Sequence, residues 1–201
     1  FGDHMVIQQV INPSVWGTAK PGAHITVAFA GFVTSGIADH HGKWMIKMPV
    51  LSAGGPHLMM ICSTDTIIFR DIMVGEVWLA SGQSNMEWTI GSGIGPTTEI
   101  ETASADFPMI RFFNVPKKTS SMPLGDTEKQ DWVICSPETV KNFSAVAYFF
   151  ARELTSHRNV AVGVISSAWG ATGAEAWISA DMLATHPDFR ERILQTDTDT
   201  S

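Results

Sequence analysis

A serine in a short polar turn is the residue of this chain best placed to do chemistry. The run Val77-Trp-Leu-Ala-Ser-Gly-Gln-Ser-Asn-Met86 passes from apolar residues into Ser81, Gly82, Gln83 and Ser84. Residues 76–80 read as a strand that stops abruptly at that turn. Active sites of open parallel sheets lie at the carboxyl ends of strands, where loops diverge. A serine there can present its hydroxyl outward, and its own N–H can help hold the oxyanion of a tetrahedral intermediate. Gly82 permits a tight turn. Gln83 and Asn85 can fix the loop by hydrogen bonds. An ordinary Ser/Gly/Asn turn has the same composition, and spacing alone leaves both readings open.

A second block, Ala168-Trp-Gly-Ala-Thr-Gly-Ala-Glu-Ala-Trp177, follows the apolar strand expected at 160–166. It reads as a strand-to-helix turn, with Trp169 and Trp177 in the core. Thr172 and Glu175 can cap the next helix or orient the loop. An acyl-transfer serine needs a base within hydrogen-bond reach, usually a histidine oriented by a carboxylate. None of the seven histidines is in an obvious position for that task. His40 and His41 fall in a hairpin turn, and His186 stands five residues after Asp181. His4, His24, His57 and His157 read as strand or helix-end residues. If Ser84 is a nucleophile, its base is not apparent in these residues.

The elements that must position these residues fall into two groups. Residues 1–72 hold short β-rich runs at 5–9, 15–18, 25–29, 33–38, 44–48, 58–62 and 67–72. In Ile25-Thr-Val-Ala-Phe29 the large apolar residues alternate, as on a strand with one buried face. Turns at Lys20-Pro-Gly22, Asp39-His-His-Gly42 and Ala53-Gly-Gly-Pro56 separate the runs. This pattern predicts an antiparallel β-sandwich of jelly-roll or immunoglobulin-like type. From 73 to 201 the pattern is strand, helix, strand. Residues 109–115 read as a strand and 116–140 as loop. A helix is expected over 144–157, capped by Ser144, with Val146, Phe149, Phe150 and Leu154 on one face. A strand, helix and strand in that order imply a parallel sheet. The fold class is therefore α/β, a sandwich followed by a three-layer domain. Residues 196–201 read as a polar tail.

Composition narrows the partners. The 201 residues are 44% hydrophobic and 16% charged, as in a folded protein. A net charge of -7 without a Lys/Arg cluster argues against nucleic acid. Lys117-Lys118, the longest basic run, reads as a solvated loop. No apolar stretch reaches the length of a membrane span. Cys62 and Cys135 fall in different halves and do not read as a disulfide, and no Cys/His spacing suggests a metal. Asn142-Phe-Ser144 fits a glycosylation acceptor, but the helix-cap reading is preferred. The chain starts with Phe1 and reads as a piece of something longer, or a processed product.

The segment Gly75–Met86 resembles the signature of the sialate O-acetylesterase family, within the SGNH/GDSL hydrolases that include acetylxylan esterases. The likeness extends in order through residues 1–9, Val15-Trp-Gly-Thr-Ala-Lys-Pro-Gly22, 39–44, 143–154 and 162–177. The resemblance implies a serine esterase that removes O-acetyl groups from carbohydrate, sialic acid first and acetylxylan as the main alternative. It implies Ser84 as nucleophile and oxyanion donor, and Gly170 as a second N–H donor. Gln83, Asn85 and Thr172 would be supporting residues. The family has a second glycine where this chain has Ala171. Alanine keeps the N–H but strains the loop if φ there is positive. The family needs no metal or organic cofactor, and its compartment is secreted, periplasmic or lysosomal in type. Its Asp and His lie three residues apart far downstream, and another downstream block adds an oxyanion contact; neither occurs in these 201 residues. The chain is then expected to be the front part of such an enzyme, poorly soluble alone and completed by the C-terminal portion of the same protein. A non-catalytic carbohydrate-binding module is the competing reading.

Overall fold

The structure, a computed structural model, describes residues 1–120 and 123–190, so the polar tail at 196–201 lies outside the described residues. Among the described residues ten strands follow one another: β1 (Val6–Gln8), β2 (Ser14–Thr18), β3 (His24–Phe29), β4 (Phe32–Ile37), β5 (Lys43–Lys47), β6 (Gly54–Cys62), β7 (Thr66–Gly82), β8 (Phe107–Asn114), β9 (Val133–Cys135) and β10 (Ala161–Ala168). Four α-helices join the second half: α1 (Ser84–Glu87), α2 (Thr98–Ala103), α3 (Ala145–Arg158) and α4 (Ala180–Leu183).

Eight strands form one mixed sheet in the order β4-β3-β6-β7-β10-β8-β9, with β1 alongside β7. The front of this sheet is antiparallel, through β3, β4, β6 and the start of β7. The rear is parallel, with β7, β10 and β8 side by side. The fold is α/β, as the element order predicts. The second sheet, β2 with β5, covers the antiparallel front. Ile25, Val27 and Phe29 of β3 point into that sandwich, and Trp44 and Ile46 of β5 close it from above. Gly36 makes the closure possible, because a Cβ there would sit 2.9 Å from Ile46 Cγ1. A separate apolar cluster fills the rear, where Phe112 and Phe143 stack at 4.0 Å.

The runs at 67–72 and 76–80 are one strand and not two. Met59 pairs with Phe69 but His57 with Ile72, so β7 holds one extra residue between them. Asp71 lies in that bulge with φ at +55°. The twist turns its carboxylate onto Arg111 of β8 and His4 ahead of β1, each at 2.6 Å. Arg111 is 4% exposed and also donates through Nε to the Pro108 carbonyl at 2.7 Å. Partial burial raises the Asp71 pKa, but the hydrogen bonds from Arg111 and His4 outweigh it and hold the carboxyl below its usual range. One carboxylate thereby ties the N-terminal segment, the bulge and the rear sheet together.

Helix α3 forms where expected, and Ser144 caps it by accepting the Ala147 N–H at 3.3 Å. Its buried face differs in part from the expected one, since Phe149 and Leu154 pack against the rear cluster but Val146 and Phe150 do not. Ala145, Ala147, Tyr148 and Ala151 face the core, while Val146 and Phe150 are 52% and 43% exposed. Alanines let the helix lie close on β8 and β10, which pushes the larger residues to its flank. There Phe150 meets Trp78 of β7 edge-to-face at 5.0 Å. Beside them, residues 76–82 of β7 pair with a strand on one edge only among the described residues, and Leu79 is 68% exposed. The loop expected at 116–140 contains β9, which closes the far edge of the sheet. Both cysteines are free; Cys135 is buried and its thiol pushed up to about 12. Among the described residues no helix is long and apolar enough to cross a membrane.

Replacing Asp71 by Asn leaves the buried Arg111 without its charge partner. An expected loss of about 2–3 kcal/mol at neutral pH follows, since Asp71 is itself partly hydrated. Asp71 has a depressed folded-state pKa, so its contribution is present above the unfolded value near 3.8 and fades as pH falls through the lower folded value. Urea unfolding of both proteins from pH 7 downward checks this: the gap should be full at pH 7 and shrink only under strong acid.

Candidate functional site

Three loops leave the carboxyl edge of the parallel sheet together, because β7, β10 and β8 end in register. Ala80, Ser81 and Gly82 pair with Ser166, Ser167 and Ala168, and Ser166 pairs with Asn114. Trp169 N–H then donates to Gly82 O at 2.9 Å, and Val115 N–H to Ser166 O at 2.8 Å. The chain after β7 therefore runs beside the chain after β10. Gly82 makes the turn out of β7 with φ at +147°.

Ser84 is the first residue of α1 and is exposed. Its Oγ donates to Gln83 Oε1 at 3.0 Å and accepts the Ala171 N–H at 3.2 Å. Gln83 Oε1 also accepts the Ser84 N–H at 3.3 Å and so caps the short helix. Thus Ser84 and Ala171, distant in sequence, meet through their loops. Asn85 is exposed, with no hydrogen bond from its side chain among the described residues. Gly170 lies against the serine as well: a Cβ there would stand 3.3 Å from Ser84 Oγ. Its N–H, however, donates at 2.6 Å to Glu87 Oε2, one turn beyond Ser84.

Glu87 and Lys117 are the members of this site that the sequence reading passed over. Lys117 pairs with Glu87 Oε1 and lies over the Trp169 ring at 5.6 Å, so it is not a purely solvated residue. Lys118 pairs with Glu128. The Lys117 ammonium first, and the Gly170 N–H second, hold the Glu87 carboxyl below its usual range. One signal for Glu87 was its spacing: three residues after Ser84 puts it on the same side of one helical turn. Lys117 had none, because a loop after β8 decides its place.

The tryptophans expected in the core are elsewhere. Trp169 is half-buried, Trp177 is 41% exposed, and both line a cleft of about 440 Å³ with Val115, Lys117 and Lys118. Thr172 braces that wall: its Oγ1 donates to Trp169 O at 2.7 Å and accepts Trp177 Nε1–H at 2.9 Å. No histidine hydrogen-bonds to Ser84 among the described residues. His186 stands 3.8 Å from Asp188, with both side chains exposed. The tight His4–Asp71 pair is at the opposite end of β7. Eleven residue steps along the strand separate Asp71 from Gly82, up to roughly 36 Å at about 3.3 Å each. No group of three or more His, Cys, Asp or Glu able to hold a metal occurs among the described residues.

Ala171 adopts φ of +61°. A left-handed conformation costs an L-residue about 1–2 kcal/mol, part of which glycine's greater freedom in the unfolded chain offsets. Ala171→Gly is expected to raise stability by up to about 1 kcal/mol and to keep the N–H donor. Denaturant midpoints of the two proteins check it; a lower midpoint for the glycine variant would show the strain is absent.

Known proteins share this arrangement of loops and strands. The chain is 31% identical to the sialate O-acetylesterase of Homo sapiens over 203 aligned residues, covering 91% of this chain and 38% of that protein. The sialate O-acetylesterases of Pongo abelii and Mus musculus are also 31% identical, over 91% and 90% of this chain. A solved carbohydrate acetylesterase from Xanthomonas citri superposes with a TM-score of 0.88 at 35% identity, covering 91% of this chain and 42% of that one. No family model matches. The resemblance to sialate O-acetylesterases thus runs along nine tenths of the chain, which spans about two fifths of the length of the proteins it matches.

Proposed function

We propose that this chain is the serine-bearing part of an esterase that removes O-acetyl groups from carbohydrate, sialic acid first among them. The observation that carries the reading is the exposed Ser84 Oγ at the end of β7, with the Ala171 N–H 3.2 Å away, in a chain 31% identical to sialate O-acetylesterases. In this reading residues 1–72 are a β-sandwich module and residues 73–201 the front of the hydrolase domain. Acetylxylan and other acetylated glycans are the alternative substrates.

The chemistry follows from the geometry. Ser84 Oγ attacks the acetyl carbonyl, and the carbonyl oxygen becomes an oxyanion beside the Ser84 N–H and the loop after β10, where the resemblance puts a second N–H donor. A base takes the Oγ proton and returns it to the departing sugar hydroxyl, leaving acetate esterified to Ser84. Water, deprotonated by the same base, then releases the acetate. The sugar ring has an apolar wall to lie against in Trp169 and Trp177.

The base is assigned to the C-terminal portion that full-length relatives carry beyond the matched residues. Gln83 Oε1, which now holds the Ser84 hydroxyl proton, is an amide oxygen and too weak a base to take it. Two structural facts favour completion by further polypeptide: the one-sided pairing of 76–82 and the exposed apolar group of Trp78, Leu79, Val146 and Phe150. A glycan-binding module without catalysis would need neither.

Fluorophosphonate labelling separates the readings. The chain should label at Ser84, and Ser84→Ala should not. Adding a polypeptide equivalent to the remaining portion of a sialate O-acetylesterase should speed labelling about a hundredfold or more, the scale of a missing general base, and should release acetate from O-acetylated sialic acid. Glycan binding with neither labelling nor acetate release would leave only the module reading.

A further inference from the structure

The nucleophile of the esterase reading meets the amide of Ala171, while the amide one residue earlier is taken by a carboxylate. Glu87 Oε2 accepts the Gly170 N–H at 2.6 Å and its Oε1 is paired with Lys117. The Ala171 N–H reaches Ser84 Oγ at 3.2 Å. The two successive amides have different partners, Glu87 Oε2 for Gly170 and Ser84 Oγ for Ala171, on either side of a peptide that leads into the left-handed Ala171. A carboxylate on a backbone N–H is a short, charge-assisted bond, and Lys117 neutralises the negative charge that would otherwise stand beside a developing oxyanion. Glu87, on α1, also moves with Ser84, which joins the nucleophile rigidly to the loop after β10.

We propose that Glu87 is the positioning residue of the oxyanion site: paired with Lys117, it takes the Gly170 amide out of the reaction and turns the Ala171 amide toward the acetyl oxygen. The proposal rests on the esterase reading for the word oxyanion, but the latch itself can be tested without turnover. Ala171, and not Gly170, is then the loop's donor, alongside the Ser84 N–H. The substitution of alanine at 171 is compatible with this role, because the donor is the backbone. Gly170 is required for a different reason: a Cβ there would lie 2.5 Å from Glu87 Oε2 and break the latch. The charged groups at Glu87 are Lys117, from the segment after β8, and Glu87 itself; the third partner is the neutral Gly170 amide.

The experiment uses the whole chain, isotope-labelled at glycine and alanine amides, with Glu87→Gln and Lys117→Met as variants. On acid titration of the wild type, the Gly170 amide proton should shift upfield as Glu87 protonates. The midpoint should lie below the ordinary glutamate value and rise toward it in Lys117→Met, since the ammonium no longer favours the anion. In Glu87→Gln the titration should vanish. A Gly170 amide that ignores pH, or titrates unchanged in Glu87→Gln, overturns the latch.

Ser84 is then carried to completion with excess fluorophosphonate, whose phosphoryl oxygen stands where the oxyanion forms. The Ala171 amide should move downfield in the adduct, while the Gly170 amide stays put. Movement of Gly170 instead makes it the donor and overturns the assignment. Labelling of Glu87→Gln should be slowed several-fold and restored in part by Glu87→Asp, which keeps the charge. A Ser84 that forms no adduct even with the completing polypeptide added overturns the esterase reading and the donor assignment together, yet the Gly170 titration still decides the latch.

Discussion

The parallel pairing of β10 with β7 is the constraint on which the rest depends. Eight residue pairs, from Ala161 with Gly75 to Ala168 with Gly82, run without a shift to the point where both strands end. A slip by one pair would move the loop after β10 by about 3.3 Å relative to Ser84, more than a hydrogen bond tolerates. Ala171 could then no longer reach Ser84 Oγ. The core enforces the register. Val162 and Val164 are buried within the rear cluster, and a slip of one residue would carry them to the opposite face, where Gly163 abuts Val6 and Trp132 and no room is left for valine. Gly75 and Gly163 fit the same demand. A Cβ at Gly163 would lie 2.8 Å from Val6 Cβ, and one at Gly75 would overlap the Ala161 carbonyl oxygen. The apolar packing of the rear half is therefore the cause of the site geometry.

β7 carries that constraint into the front half. It is paired antiparallel with β6 at its start and parallel with β10 at its end, and so belongs to both apolar clusters. The bulge at Asp71 lets one strand serve both, because the extra residue changes the twist where the two halves meet. The ion pair with Arg111 is placed at the same point, so the strained conformation is fixed by a charge from the rear sheet. The sandwich thereby holds the lower end of the strand whose upper end presents Ser84.

What was legible in the sequence is what local pattern controls. The alternation in Ile25–Phe29, the Ser144 cap and the strand-helix-strand order are short-range, and their elements formed at the expected places. Ser84 itself stood out because its turn is contiguous. The rest depends on residues far apart. Nothing near Val146 or Phe150 in sequence says that alanines will take the sheet side of α3. The merging of two short runs into β7 depended on where an extra residue could be absorbed against β6. Trp169 and Trp177 look like core residues by composition, and only the three-loop edge makes them a cleft wall. Glu87 and Lys117 are separated by 30 residues, and a contact between loops carries no periodic signal.

In the proposed esterase reading, the hydrogen bonds at Ser84 also constrain what a completing segment must do. The hydroxyl is already used twice: as acceptor toward Ala171 and as donor toward Gln83. A base must replace Gln83 Oε1 as the acceptor of that proton, and it must do so without disturbing the Ala171 contact on the other side. The approach open to it is the exposed side of α1, since the β10 loop and Glu87 close the opposite one. Once the proton is handed over, Gln83 is left with the Ser84 N–H alone, and its amide can release that donor to the oxyanion. The arrangement is thus a resting one. Gln83 occupies in the unliganded chain the positions that a base and a substrate oxygen would take, and its long 3.3 Å contact to the amide is the weaker of the two it makes with Ser84. A short neutral side chain with no charge to desolvate is easily displaced from both, whereas a carboxylate in its place would compete with the oxyanion it must yield to.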